Sequence, residues 1–167
     1  MNKNDRPSIK IQFSLLEKVL EGISIFCIGA IIVVLFINWM SLPDRIPIHF
    51  GISGSPDSWG DKIKLIYIPI VMIFIYVMLT LVARFPHTFN YLVEITQDNA
   101  KFQYQNARKM ILWLKAEIII VFGYIEWITI LVAHNRKPGM DVWFLPVFLI
   151  LLFGTVIYHF LKMIRNR

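Results

Sequence analysis

The chain has 167 residues, of which 57% are hydrophobic and 17% charged, with a formal net charge of +6. A soluble globular domain carries about 25% charged residues, so this balance excludes an ordinary soluble domain and points to lipid. The basic residues mostly flank apolar runs instead of forming a stripe interleaved with aromatics, which sets nucleic acid aside and assigns the charge to the membrane surface.

A single membrane domain is expected. Residues 1–10 read as a short, disordered basic tail. Ser14-Leu15-Leu16-Glu17 fits a capping box, so the first span is expected over residues 15–39. Its charge-free stretch begins at Gly22 and holds Cys27, the one cysteine. No internal disulfide is available, and Cys27 reads as a small apolar packing residue. The polar leader with Asp5 and Glu17 and the unsuitable Asn38-Trp39-Met40-Ser41 argue against a cleavable signal. Pro43 and Pro47 end the helix, and residues 40–62 form a loop rich in turn residues. The second span is expected over 63–83, with Pro69 a candidate kink.

Phe85-Pro86 closes that span, and a loop and helix follow over 84–109. Thr96 is a candidate N-cap for a helix starting near Gln97. Ala100, Tyr104, Ala107 and Ile111 recur at helical spacing, so this helix should run continuously into a third span at 110–133. Pro138-Gly139 then makes a turn, and a fourth span covers 142–161. The expected fold is an all-α integral membrane protein, a four-transmembrane-helix bundle with both termini inside and a structured extracytoplasmic first loop.

The third span carries Lys115, Glu117 and Glu126, each costing roughly 2.5–3.5 kcal/mol at a helix centre. Lys115 lies seven residues after Arg108, on the same face, and is expected to snorkel toward the headgroups. Glu126 is expected near the outer interface, paired with Arg45, Lys62 or His49, although an intramembrane carboxylate also invites an ion or proton site. Glu117 could meet His159 of the fourth span. His87 reads as an interfacial loop residue.

Four spans place eleven Lys and Arg on the side of the termini and five on the other; three spans would give eleven against six. The positive-inside rule then puts both termini in the cytoplasm and the first loop outside. This loop reads Leu42-Pro43-Asp44-Arg45-Ile46-Pro47-Ile48-His49-Phe50, then Gly54-Ser55-Pro56-Asp57-Ser58-Trp59-Gly60-Asp61-Lys62. Two prolines flanking Asp44 favour rigid extended backbone, and Gly51, Gly54 and Gly60 tolerate positive φ. Trp39, Phe50 and Trp59 suit a membrane interface. So much turn chemistry between two helices implies a folded cap over the bundle.

The pattern Leu-Pro-Asp-x-Ile-Pro-x-His-Phe followed by Gly-x-Pro-Asp-x-Trp-Gly-x-Lys resembles the domain of unknown function in the N-terminal part of SdpI-type bacterial immunity proteins (the DUF1648 type). Phe89-Asn90-Tyr91, Ile95-Thr96, Asn99-Ala100, Gln103-Tyr104 and residues 110–115 resemble the segment that follows in relatives. The resemblance implies a bacterial plasma-membrane protein whose relatives protect the cell from a secreted toxin and hold a cytoplasmic repressor at the membrane. Those relatives carry further helices beyond the shared region. Candidate binding residues in the cap are Pro43, Asp44, Pro47, His49, Phe50, Gly54, Asp57, Trp59, Gly60 and Lys62.

Asp44, His49, Asp57 and Asp61 are hard or borderline ligands, and His134 lies in the loop on the same side, so His49 and His134 with a carboxylate such as Glu126 form a conceivable metal site. No ligand spacing such as H-x-x-x-H or C-x-x-C is present, and no metal or other cofactor is expected. The simpler reading has Asp44 accepting turn N–H groups, His49 donating to a carbonyl and Asp57 closing the Pro-Asp turn. No nucleophile elbow, P-loop or Cys-His pair is present, which leans away from an enzyme. The expected function is an SdpI-like accessory protein for immunity or signalling toward a secreted peptide or envelope component, with a cytoplasmic regulator or membrane partner. The alternatives are a membrane enzyme or ion-binding protein using His49, Asp44, Asp57 and Glu126, and a structural subunit of a membrane complex.

Overall fold

A computed structural model describes residues 6–7 and 9–167. Most of the tail expected over residues 1–10 lies outside them. Arg6 within it is anchored, its guanidinium donating to the carbonyls of His87 at 3.2 Å and Phe89 at 2.6 Å.

The element order is α1 (Leu15–Asn38), β1 (Arg45–Phe50), β2 (Pro56–Asp61), a 3-10 turn (Lys62–Ile66), α2 (Tyr67–Ala83), a 3-10 turn (Pro86–Thr88), α3 (Ala100–Ala133) and α4 (Phe144–Arg165). All four α-helices are long and apolar enough to cross a bilayer, the second counted together with the 3-10 turn before it. The chain is a mostly helical, multi-pass membrane protein. The all-α expectation needs one correction, because residues 45–61 pair as an antiparallel hairpin. β-branched and aromatic side chains in β1 favour extended backbone, and Pro47 fixes φ without breaking the pairing, as its position in a two-stranded edge allows.

Local signals explain the helix ends. Ser14 and Glu17 form the capping box reciprocally. Thr96 and Asn99 exchange backbone-to-side-chain bonds, which closes the turn feeding α3, although the regular helix opens only at Ala100. Pro69 is the third residue of α2, where its missing N–H has no helical acceptor to lose, so no kink is needed.

α1 and α3 run parallel, with Glu17 facing Arg108 near one end and Leu35 packing with Ile130 near the other. α2 runs antiparallel to them, since Leu65 joins the Ile130 cluster while Thr80 meets Lys115. α4 packs chiefly on α3. The bundle therefore has a terminal end, holding the starts of α1 and α3, and a hairpin end. Apolar layers climb between them: Leu20, Ala83, Leu112 and Ala116; then Ile31, Met72 and Ile119, with Cys27 packed beside them; then Leu35, Leu42, Ile46, Leu65, Ile130 and Ala133. The outward faces are equally apolar: Phe36 is 81% exposed and Ile150 71%, the pattern of a helix hydrophobic all round.

Candidate functional site

The cap is fastened to the bundle by two of its own apolar side chains. Leu42 and Ile46 are buried in the layer that contains Ile130, each worth roughly 1.5–3 kcal/mol. A second fastening is backbone to backbone. The Met140 N–H donates to the Gly54 carbonyl at 2.8 Å, tying the hairpin tip to the α3–α4 connection. Gly54 has φ +79°, and a Cβ there would lie 1.9 Å from the Met140 carbonyl oxygen. A Cβ on Gly139 would lie 2.3 Å from the Gly54 oxygen. Only glycine allows the two backbones to approach this closely.

With its base and tip held, the hairpin turns most of its charged side chains outward. His49 Nδ1 and Asp57 Oδ1 are 2.6 Å apart across the strands, and both side chains are more than half exposed. This replaces the expected roles, in which His49 would donate to a carbonyl and Asp57 would close the local turn. Asp44 is almost fully exposed, with the Lys62 ammonium at 3.4 Å. Lys62 also donates to the Leu42 carbonyl and lies over the Trp39 ring. Arg45 donates to the Trp59 carbonyl. Ile52 at the tip is 95% exposed and Trp59 43%. Pro43, Pro47, Phe50 and Gly60 shape the strands and their approach.

Two grooves flank β1. One, of about 280 Å³, lies between the hairpin and the α3–α4 corner, with Phe50, Ile52, Ile125, Met140, Phe144 and Leu145 among its walls. The other, of about 300 Å³, lies toward α2, with Ile48, Lys64, Ile68 and Thr129 among its walls. Ile125 faces both. At the α3–α4 corner Asp141 accepts from the Lys137 ammonium and from the Tyr124 hydroxyl at 2.8 Å. The Lys137 bond, followed by the Tyr124 bond, holds the Asp141 carboxyl below its ordinary range; the same bond raises the Lys137 ammonium. At the opposite end of the bundle, burial pushes the Tyr91 phenol well above its ordinary value.

The intramembrane polar residues are arranged differently from the expectation. Lys115 does not snorkel: it is fully buried and donates to Glu21 at 2.6 Å and Thr80 at 2.8 Å, with its ammonium 4.5 Å from the Tyr76 ring centre. Glu117 accepts from Thr155 at 2.5 Å, whereas His159 bonds Asn106 at 2.9 Å. Glu126 meets none of Arg45, Lys62 or His49. It is fully buried, and neither carboxyl oxygen has a hydrogen-bond partner among the described residues. Snorkelling failed as an expectation because α1 offers Glu21 at the same depth, one turn beyond the Glu17 that binds Arg108.

His134 is held by Ser41 at 3.0 Å and the Ile130 carbonyl at 2.9 Å, apart from the His49–Asp57 pair. Among the described residues no three His, Cys, Asp or Glu side chains come together as a metal-binding group. His87 lies in the 3-10 turn after α2. Sequence reasoning missed the groove walls Ile52, Ile125, Met140, Phe144 and Leu145. Gly54 and the Pro138-Gly139 turn were the legible trace of that contact. It also missed the match between Glu17 and Glu21 on α1 and Arg108 and Lys115 on α3, which opposite charges at helical spacing could have revealed.

Residues 25–73 match a domain of unknown function, DUF1648. That span covers the upper part of α1, the whole hairpin and the first turns of α2. The chain is also similar to an uncharacterized protein of Archaeoglobus fulgidus, with 27% identity over 81 residues covering 44% of each chain. The chain thus spans less than half the length of this curated relative. No solved structure matches it.

Proposed function

We propose that this protein is an SdpI-like accessory protein of a bacterial plasma membrane that engages a secreted peptide or envelope component through its hairpin cap. Both termini lie in the cytoplasm in this reading, available to a regulator or a membrane partner. The Lys and Arg count supports that orientation, with eleven at the terminal end and five at the hairpin end. The observation that carries the functional reading is the construction of the cap. A hairpin locked at base and tip leaves a groove of about 280 Å³ with the exposed Ile52 and the His49–Asp57 pair beside it. A rigid, partly apolar surface with a polar rim suits an amphiphilic ligand, because little ordering entropy is lost on binding. Immunity would follow from sequestering a toxic peptide, and signalling from a change at the terminal end when the groove fills.

The test is genetic and then local. Deletion should raise sensitivity to one secreted peptide or alter expression of neighbouring genes. Ile52→Asp and His49→Ala should reproduce that phenotype at unchanged protein level. Unchanged sensitivity to every peptide tested, with unchanged expression of neighbouring genes, overturns the reading.

A further inference from the structure

α4 meets α3 along a seam of hydrogen bonds: Gln103 to the Met163 and Asn166 carbonyls, Asn106 to His159, and Thr155 to Glu117. Beside these bonds the two helices part. A groove of about 580 Å³ begins near the terminal end and meets a second, of about 420 Å³, at Glu117 and Leu151. From Lys109 to Tyr124 the groove follows sixteen residues of α3, or roughly 22 Å at helical rise. Its upper part is walled by Ile120, Val121, Val147 and Phe148. Its lower part is widened by Gly154, where a Cβ would meet open space.

The terminal mouth has a different chemistry. Lys109 of α3 and Lys162 of α4 both line it, with Trp113 and Tyr158 beside them. Neither ammonium has an acidic partner among the described residues; Lys162 lies instead over the rings of Phe102 and Tyr158. Elsewhere at this end Arg108 is neutralised by Glu17, and further in Lys115 by Glu21. Two uncompensated cations at the mouth of a long apolar groove, with amphipathic aromatics at the same level, complement one kind of occupant.

We propose that the α3–α4 groove is a binding site for an anionic glycerophospholipid, with its phosphate between Lys109 and Lys162 and an acyl chain running past Gly154 toward Phe148. The groove exceeds half of a hydrocarbon core about 30 Å thick, so it accommodates a chain from one leaflet. The site places the phosphate at the terminal end, and its far end reaches Asp141 and Phe144, which also wall the groove beside the hairpin.

The test uses the full-length protein in detergent, examined by native mass spectrometry with dioleoyl phosphatidylglycerol and dioleoyl phosphatidylcholine. Phosphatidylglycerol should be retained preferentially. Replacing Lys109 and Lys162 by Ala should lower that preference by about fivefold per lysine. Arg84→Ala, a cation removed elsewhere at this end, should leave it unchanged. Gly154→Trp should reduce retention of both lipids by filling the groove, with Gly154→Leu as the second variant if the first does not fold. Free glycerol phosphate should not displace the lipid. A preference that survives the double substitution, or falls equally with Arg84→Ala, overturns the site. So does unaltered retention in the folded Gly154 variant, or displacement by glycerol phosphate.

Discussion

The two ends of the α1–α2–α3 bundle solve the problem of buried charge in opposite ways. At the terminal end the charges are paired. Arg108 reaches both oxygens of Glu17, at 2.7 and 3.1 Å, and the carbonyls of Ile11 and Gln12, while Lys115 is shared between Glu21 and Thr80. At the hairpin end Glu126 is equally buried and has no such partner among the described residues, although three cations sit in the cap above it. Those cations are engaged or exposed at the surface: Arg45 on the Trp59 carbonyl, Lys62 on Asp44 and the Leu42 carbonyl, and Lys64 beside the groove toward α2. Pairing across helices fixes register in a setting where apolar burial between helices drives little. The hairpin end instead fixes its cap through glycine contacts and two buried aliphatic side chains, and its polar pairs, His49–Asp57 and Lys62–Asp44, stand at the surface.

Substitutions can break this contrast. Arg108→Ala should have the largest effect, destabilising by about 3–5 kcal/mol, because Glu17 is left buried and uncompensated. Thermal unfolding in detergent reads this out, and a Glu17→Gln/Arg108→Met double variant should recover much of the loss. Gly54→Ala should cost about 1–3 kcal/mol, confined to the cap, since the new Cβ meets the Met140 carbonyl and the backbone sits at positive φ. Hydrogen exchange should rise over residues 45–61 and remain unchanged in α3. Glu126→Leu should carry the opposite sign to Arg108→Ala, being neutral or stabilising by about 1 kcal/mol, because an unpartnered buried polar group is replaced by an apolar one. A destabilisation as large as that of Arg108→Ala would show that Glu126 has a partner after all.

The smallest effect is that of pH on the Asp141 corner. Its carboxyl lies below the ordinary range when folded, so its contribution is complete above the unfolded value of about 3.9 and is lost as pH falls through the folded one. Hydrogen exchange across residues 134–143 should therefore rise only in strong acid. Asp141→Asn should show the raised exchange at neutral pH and no further rise on acidification.

The spans were legible because hydrocarbon thickness demands long apolar runs, and residues 22–43, 65–83 and 142–161 meet that demand without reference to any partner. The Ser14–Glu17 cap was legible because capping is local. The hairpin was read only as a structured loop: β1 holds the whole Ile46-Pro47-Ile48 run, but Ile46 and Pro47 are both buried, so the period-2 alternation of a strand is missing, and the tip is tied to Met140, far along the chain. The burial of Lys115 and the partners of Glu117 and Glu126 differ from the expectation for a related reason. Depth along one helix can be counted from sequence, whereas the helix that supplies the partner is fixed by packing. The cap residues named from the sequence lie in and around the hairpin, yet the groove beside it is built half from α3 and α4, which no motif in the loop encodes.

The orientation of the hairpin underlies the whole functional reading, and single-cysteine labelling tests it most directly. With Cys27 replaced by Ser, a cysteine at Ser53 in the cap and another at Thr88 in the turn after α2 should be compared in intact cells using a membrane-impermeant maleimide. Labelling of Ser53→Cys from outside, with Thr88→Cys labelled only after permeabilisation, is the predicted result. The reverse pattern would place the cap in the cytoplasm and contradict recognition of any secreted ligand.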